Sequence, residues 1–196
     1  MTGAASQALQ EPPQEEELIE LLRRIASGDE SAFERFYRSQ ADRVYRFLRT
    51  RLQDATAAGE ILNEVMLEVW RTAQRFEGRS RVQTWLLGIA HHRMVDHLRR
   101  NRRHRGDALD ESLADDDAPA AARLVNALQE GELLRRCLDR LSDVQRQVMH
   151  LAFFEELSYT EIARIVDCPE GTVKTRVFHA RQALKRCLME SGMVAS

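Results

Sequence analysis

Proline and glycine are scarce in this 196-residue chain, at four and nine residues, and no stretch alternates β-branched with polar residues between such turn formers. That excludes sheet architectures, because every reversal of a β-sheet needs turn chemistry of this kind. Cysteine is scarce too: Cys137, Cys168 and Cys187 are odd in number, far apart, and form no C-x-x-C pair. Neither a disulfide framework nor a zinc site is indicated, and each cysteine is expected to act as a small apolar residue in or near a core. No run approaches the roughly 18 apolar residues of a membrane span, and the start, Met1 to Glu17, is polar and acidic rather than signal-like. A cytoplasmic protein without membrane insertion is expected. No Walker loop, G-x-S-x-G elbow or deaminase signature occurs, so nothing suggests a catalytic residue, a cofactor or an enzyme. His91, His92 and His97 stand at spacings that do not place two imidazoles on one helix face, and they are expected to be surface residues rather than metal ligands.

Charge is abundant but segregated. The net charge of -2 hides eight arginines between Arg79 and Arg105 against one acid, Asp96. Directly after them come Asp107, Asp110, Glu111, Asp115, Asp116 and Asp117 without an intervening base. The basic stretch is a nucleic-acid candidate, and the acidic Ala/Pro-containing stretch reads as an exposed linker. The predicted division is a disordered acidic head at 1–17, a helical block at 18–105, an acidic linker at 106–123, a second helical block at 124–190 and a tail at 191–196. The fold class is all-α, with two small helical domains joined by that flexible linker.

The last forty residues carry the sharpest local signal. Ser158-Tyr-Thr-Glu161 is a capping box that opens a short helix through Ile162, Ala163 and Val166. The helix breaks at Asp167-Cys168 and restarts at Pro169, whose fixed φ suits a helix start. In the second helix Val173, Val177, Ala180, Leu184 and Leu188 share a buried face. The outer arc holds Thr175, Phe178, His179, Gln182 and Arg186, flanked by Lys174, Arg181 and Lys185 on one edge and Arg176 near the other. Such an arc suits a major groove, with polar groups and Phe178 at base edges and cations on phosphates. The alternative is a solvated amphipathic helix closing a bundle; the capped short helix, tight turn and basic face together favour a DNA-reading helix-turn-helix. Ser142-Asp-Val-Gln145 is a second, purely structural cap, opening a helix with Val144, Val148 and Phe153.

Upstream, helices are expected at Ser31 to Leu52, Thr56 to Phe76 and Val82 to Arg100. In the middle one, Leu62, Val65, Met66 and Val69 gather on one side, while Glu60, Asn63, Glu64, Leu67 and Arg71 share the other with Trp70 beside them. That face fits either a partner, through its aromatic anchor, or a neighbouring helix. In the third, Leu87, Ala90, Met94 and Leu98 form the buried stripe opposite Trp85, His92, Arg93, Asp96, Arg99 and Arg100. An exposed tryptophan among arginines is a stacking platform for single-stranded nucleic acid, although a core position for Trp85 is the structural alternative.

The chain resembles the extracytoplasmic-function (ECF) bacterial sigma factors, small two-domain subunits of RNA polymerase. The resemblance spans roughly Leu18 to Leu188. Three stretches carry it: Glu60-Ile-Leu-Asn-Glu-Val-Met-Leu-Glu-Val-Trp70; Phe76-Glu-Gly-Arg-Ser-Arg-Val-Gln-Thr-Trp-Leu86 through Asp96-His-Leu-Arg-Arg100; and Leu157-Ser-Tyr-Thr-Glu-Ile-Ala163 through Gly171-Thr-Val-Lys-Thr-Arg176.

The resemblance implies that the first block is sigma-2-like and the second a sigma-4-like helix-turn-helix domain. It implies that Glu60, Asn63, Glu64, Leu67 and Trp70 dock on core polymerase, whose β and β′ subunits are the expected partners. Gly78, Arg79, Ser80, Arg81, Trp85, His92, Asp96, Arg99 and Arg100 would hold melted minus-ten DNA. Lys174, Thr175, Arg176, Phe178, His179 and Arg181 would read the minus-thirty-five duplex. A stress or environmental role under an anti-sigma protein is implied in the same way. The chain departs from the family in carrying Asn63-Glu64 where glutamine-glutamate is usual, His92 where asparagine is common, and His179 in place of a frequent arginine. A free-standing helix-turn-helix regulator is the alternative reading.

Overall fold

The computed structural model describes residues 14–105 and 126–190. The linker expected at 106–123 and the tail at 191–196 lie outside them. Among the described residues there are eight α-helices and no strand, and the expected all-α class holds.

Four helices make the N-terminal unit: α1 (Glu15–Ala26), α2 (Glu30–Arg49), α3 (Ala55–Thr72) and α4 (Val82–Arg105). Leu18, Leu22 and Ile25 of α1 meet Phe36, Phe47 and Leu48 of α2, Ile61 and Met66 of α3, and Leu86, Leu87 and Met94 of α4 in one core from which water is excluded. Each such side chain contributes about 1.5–3 kcal/mol by burial. Local chemistry sets the boundaries. Asp29 caps α2 by accepting from the Ala32 amide at 3.0 Å and is gripped by Arg24 at 2.8 and 2.6 Å and Ser31 at 2.7 Å. Ser31, the Ala32 amide and Arg24 together pull its carboxyl below the ordinary range.

The expectation of a disordered head through residue 17 is corrected here. Helix α1 begins at Glu15, and Glu15, Glu16 and Glu17 fill its first turn. There, three carboxylates oppose the positive end of the helix dipole, so an acidic run that looked solvating is a helix start.

The C-terminal unit consists of α5 (Asn126–Asp139), α6 (Asp143–Phe153), α7 (Tyr159–Ile165) and α8 (Glu170–Glu190). Both expected capping boxes form, at Ser142 with Gln145 and at Ser158 with Glu161. Glu156 and Asp167 take up the two tight turns with φ of 52° and 48°, left-handed conformations that cost a side-chain-bearing residue about 1–2 kcal/mol. Val173, Val177, Ala180 and Leu184 of α8 are buried as expected, but Cys187 rather than Leu188 completes the stripe. Phe153, the last residue of α6, is 52% exposed.

Two further expectations are overturned. Cys137 and Cys187 form a disulfide between α5 and α8, with Cα atoms 5.7 Å apart at a sequence separation of 50; Cys168 alone stays a free thiol. Packing of the end of α5 on the last turns of α8 brings the pair together, which sequence spacing does not reveal. His91 is buried at 7% exposure rather than on the surface, because the C-terminal unit packs over α4. Its Nδ1 lies 3.1 Å from the Gln147 amide nitrogen of α6.

The two units touch along α4 with α7 and α2 with α6. Arg146 spans the contact: it donates to the carbonyls of Leu138, Asp139 and Leu141 at the end of α5, at 3.1–3.2 Å, and to the Thr50 carbonyl of the N-terminal unit at 3.5 Å.

Candidate nucleic-acid interface

Helix α4 is positioned from its first residue. Glu15 Oε1 accepts from the Val82 amide at 2.7 Å, so an acid of α1 satisfies an orphan donor at the start of α4. The loop before it turns at Gly78, whose φ of 69° favours a residue without Cβ. Gly78, Arg79 and Arg81 are exposed and Ser80 is half-buried. Arg79 pairs with its neighbour Glu77. Arg81 instead crosses to the C-terminal unit, donating from Nε and Nη2 to the two oxygens of Glu161 at 3.0 Å each, and the Thr84 hydroxyl donates to the same carboxylate at 3.2 Å.

Along α4, His92, Asp96, Arg99 and Arg100 are exposed on one side, as the sequence indicates. Trp85 is different. It is half-buried, with its ring 5.4 Å from that of Phe76, so only part of its face remains for a base. Arg93 is also withdrawn, donating to Glu68 of α3 at 2.8 Å.

On α3 the outer face carries Glu60, Asn63 and Glu64, all exposed, and Leu67, 46% exposed. Trp70 sits at its edge, half-buried edge-to-face against Phe33 at 5.3 Å. Tyr37 donates to Asn63 Oδ1 at 3.2 Å. An exposed leucine framed by carboxylates has the apolar centre and polar rim common to protein-binding surfaces.

On α8, Lys174, Phe178, Arg181, Gln182 and Lys185 line one open groove of about 530 Å³ with Tyr159. Phe178 is 57% exposed, and the Arg181 guanidinium lies over the Phe153 ring at 5.9 Å. Thr175 spends its hydroxyl on the Gly171 carbonyl at 3.0 Å. Lys174 pairs with Glu170 at 2.7 Å, and Thr160 donates to the same carboxylate at 2.9 Å. Lys174 and Thr160 hold the Glu170 carboxyl below its usual range, and Glu170 raises Lys174 in return. His179 is exposed with its ring against Phe178. Arg176 departs from the group: half-buried, it points toward Cys168 Sγ at 3.7 Å and into a cleft of about 290 Å³ between the units, shared with His91, His92, Asp96 and Arg99.

Sequence reasoning missed the acids and bases that join the units: Glu155, Glu161, Arg43 and His91. Glu161 was visible only as a helix cap. Burial opposes its ionisation, but the Ser158 hydroxyl and amide and then Arg81 outweigh it and bring the carboxyl down to about 2. For His91, burial and then the facing charges of Arg51, His92 and Arg176 outweigh Asp167 and push the imidazole down to about 4 from 6.5. The unfolded chain therefore takes up this proton first. Stability from neutral His91 is full above about pH 6.5 and is lost as the pH falls toward 4, at about 2 kcal/mol between pH 7 and 5. Urea unfolding of the parent and His91→Gln at the two pH values checks this. The parent should lose that much more than the variant, and equal losses would refute the assignment.

A basic helix-turn-helix, a second basic helix with its glycine-containing loop, and a partner face between them define a DNA-binding transcription factor of two helical domains. The Sigma-70 region 2 family model matches residues 36–104 and the Sigma-70 region 4 model residues 131–184. The chain belongs to the ECF sigma factors of RNA polymerase. It is 36% identical over 183 residues to the ECF RNA polymerase sigma factor SigK of Mycobacterium ulcerans, covering 90% of this chain and 96% of that one. It is 35% identical over 178 residues to SigK of Mycobacterium tuberculosis, covering 88% and 94%. The fold matches that of the sigma factor RpoE from Bartonella quintana, solved with the anti-sigma factor NepR, at a TM-score of 0.61 and 24% identity over 80% of this chain and 96% of that one. It likewise matches CnrH, solved with the cytosolic domain of CnrY, at 0.61 and 19% over 89% and 98%. The protein is an alternative sigma factor that binds core RNA polymerase and directs promoter-specific initiation. The region 2 match sets aside a free-standing regulator.

Proposed function

We propose a division of this activity among the exposed surfaces. Glu60, Asn63, Glu64, Leu67 and Trp70 of α3 dock on the clamp helices of the β′ subunit. Gly78, Arg79, Ser80, Arg81, Trp85, His92, Asp96, Arg99 and Arg100 hold unstacked non-template bases of the minus-ten element. Lys174, Thr175, Arg176, Phe178, His179 and Arg181 of α8 read the minus-thirty-five element as duplex. The domains that do this span 15–105 and 124–190. The chain works in the cytoplasm, in a stress or environmental response, and an anti-sigma protein holds it inactive, as the anti-sigma factor NepR accompanies the sigma factor RpoE of similar fold.

The observation that carries this reading is the shared groove on α8, where Lys174 and Arg181 flank the exposed Phe178. Cations in that position meet phosphates, and phosphate contacts set the salt dependence of binding. In the holoenzyme, replacing both Lys174 and Arg181 by alanine should weaken duplex binding similarly on all promoters and flatten the slope of log K against log salt by about 1 to 2. Filter binding or anisotropy across a salt series measures this. An unchanged slope removes α8 from the phosphate contacts.

A further inference from the structure

The proposed minus-ten surface of α4 and one edge of the proposed minus-thirty-five surface of α8 meet in the free chain. His92, Asp96 and Arg99 of α4 and Arg176 of α8 line a single cleft. The elements they serve are twenty-five base pairs apart by position, about 85 Å along B-DNA. No duplex reaches both surfaces while they share one cleft, so the units must separate before a promoter is bound.

What holds them together is specific. Besides the neutral contacts of Arg146 with the Thr50 carbonyl and of Gln147 with His91, two ion pairs join an acid of the C-terminal unit to an arginine of the N-terminal one. Glu161 takes both nitrogens of Arg81 in a bidentate pair and accepts from Thr84 as well. Glu155, its side chain only 3% exposed, lies 2.8 Å from Arg43 Nε, and His150 Nε2 approaches its other oxygen at 3.3 Å. Arg43 is aimed from its own side, donating to the buried Gln40 at 3.0 Å. Charge pairs on exposed surfaces are worth little, but a bidentate pair between preset groups is stronger and directional, and a buried acid is costly to leave without its base.

We propose that Glu155 and Glu161 form an intramolecular clasp that keeps the free sigma factor closed. Glu161 occupies on Arg81 the place of a DNA phosphate, and core polymerase frees the loop by drawing the domains apart. The proposal rests on the assignment of the Gly78 to Arg81 loop to the minus-ten element. A carboxylate on the same chain competes with DNA at an effective concentration of the order of millimolar. The other oxygen interactions of Glu161 explain its readiness. Oε2 accepts from the Ser158 amide at 2.9 Å and its hydroxyl at 2.7 Å, so the α7 cap fixes the carboxylate where Arg81 arrives.

That dual role supplies the test. Glutamine also serves the capping box, so Glu161→Gln keeps α7 and removes the charge facing Arg81. The full-length parent, Glu161→Gln and the double variant Glu155→Gln/Glu161→Gln are compared without polymerase, by X-ray scattering and by anisotropy of a fluorescein-labelled random single-stranded DNA at low salt. The expected result is a larger radius of gyration and roughly tenfold tighter DNA binding in the double variant, with a smaller change in the same direction for Glu161→Gln. Unchanged size and affinity in both variants overturn the clasp. Expansion without tighter DNA binding supports the clasp and instead overturns the assignment of the loop to DNA.

Discussion

Core polymerase should bind the Leu67→Glu variant about 100-fold more weakly than the parent. Leu67 is 46% exposed on α3 and lies outside the core, so the substitution costs the free fold little. On the proposed docking, a glutamate at the centre of the patch would be stripped of water, and Glu60 and Glu64 on the same face would add repulsion. Trp70 is a poorer probe, because its ring also packs on Phe33 and its loss mixes binding with stability. Titration of labelled core enzyme reads the affinity, and circular dichroism confirms that the variant is helical. An affinity within about threefold of the parent moves polymerase docking away from α3.

Reduction of the Cys137–Cys187 disulfide should destabilise the C-terminal helices by about 4 kcal/mol, the chain-entropy value for a loop of 50 residues. The bridge joins α5 to the end of α8, so opening it frees α5 and exposes the lower part of the α8 stripe, where Leu184 and Cys187 are buried. Urea unfolding followed by circular dichroism, with and without reductant, should show a midpoint lower by about 2 M in the reduced protein. Trp70 and Trp85 both belong to the N-terminal unit, and their fluorescence should shift less. Coincident midpoints in the two conditions would rule out a structural contribution from the bridge.

Helix positions were largely legible because their signals are local. The boxes at Ser142–Gln145 and Ser158–Glu161 form as read, and α3, α4 and α8 follow their apolar periods. The helix start at Glu15 to Glu17 is not legible, because carboxylates in a first helical turn and carboxylates in a solvated tail have the same composition. Of the expected DNA-binding residues, those whose exposure follows from helix geometry alone, such as His92, Arg99, Phe178 and Arg181, stand where periodicity puts them. Trp85 and Arg176 do not, because Phe76 covers part of one and the interdomain cleft takes the other.

The amino-acid sequence by itself determined the all-α class, the helix-turn-helix, the segregation of charge and the membership of a family, since each is written in neighbouring residues or in short ordered stretches. Only the tertiary structure decided that Cys137 meets Cys187, that His91 is buried, and that Arg81 belongs to Glu161 in the free chain. These depend on which helix faces meet across 50 to 80 residues of chain, and a helical period states which face is apolar but not what will cover it.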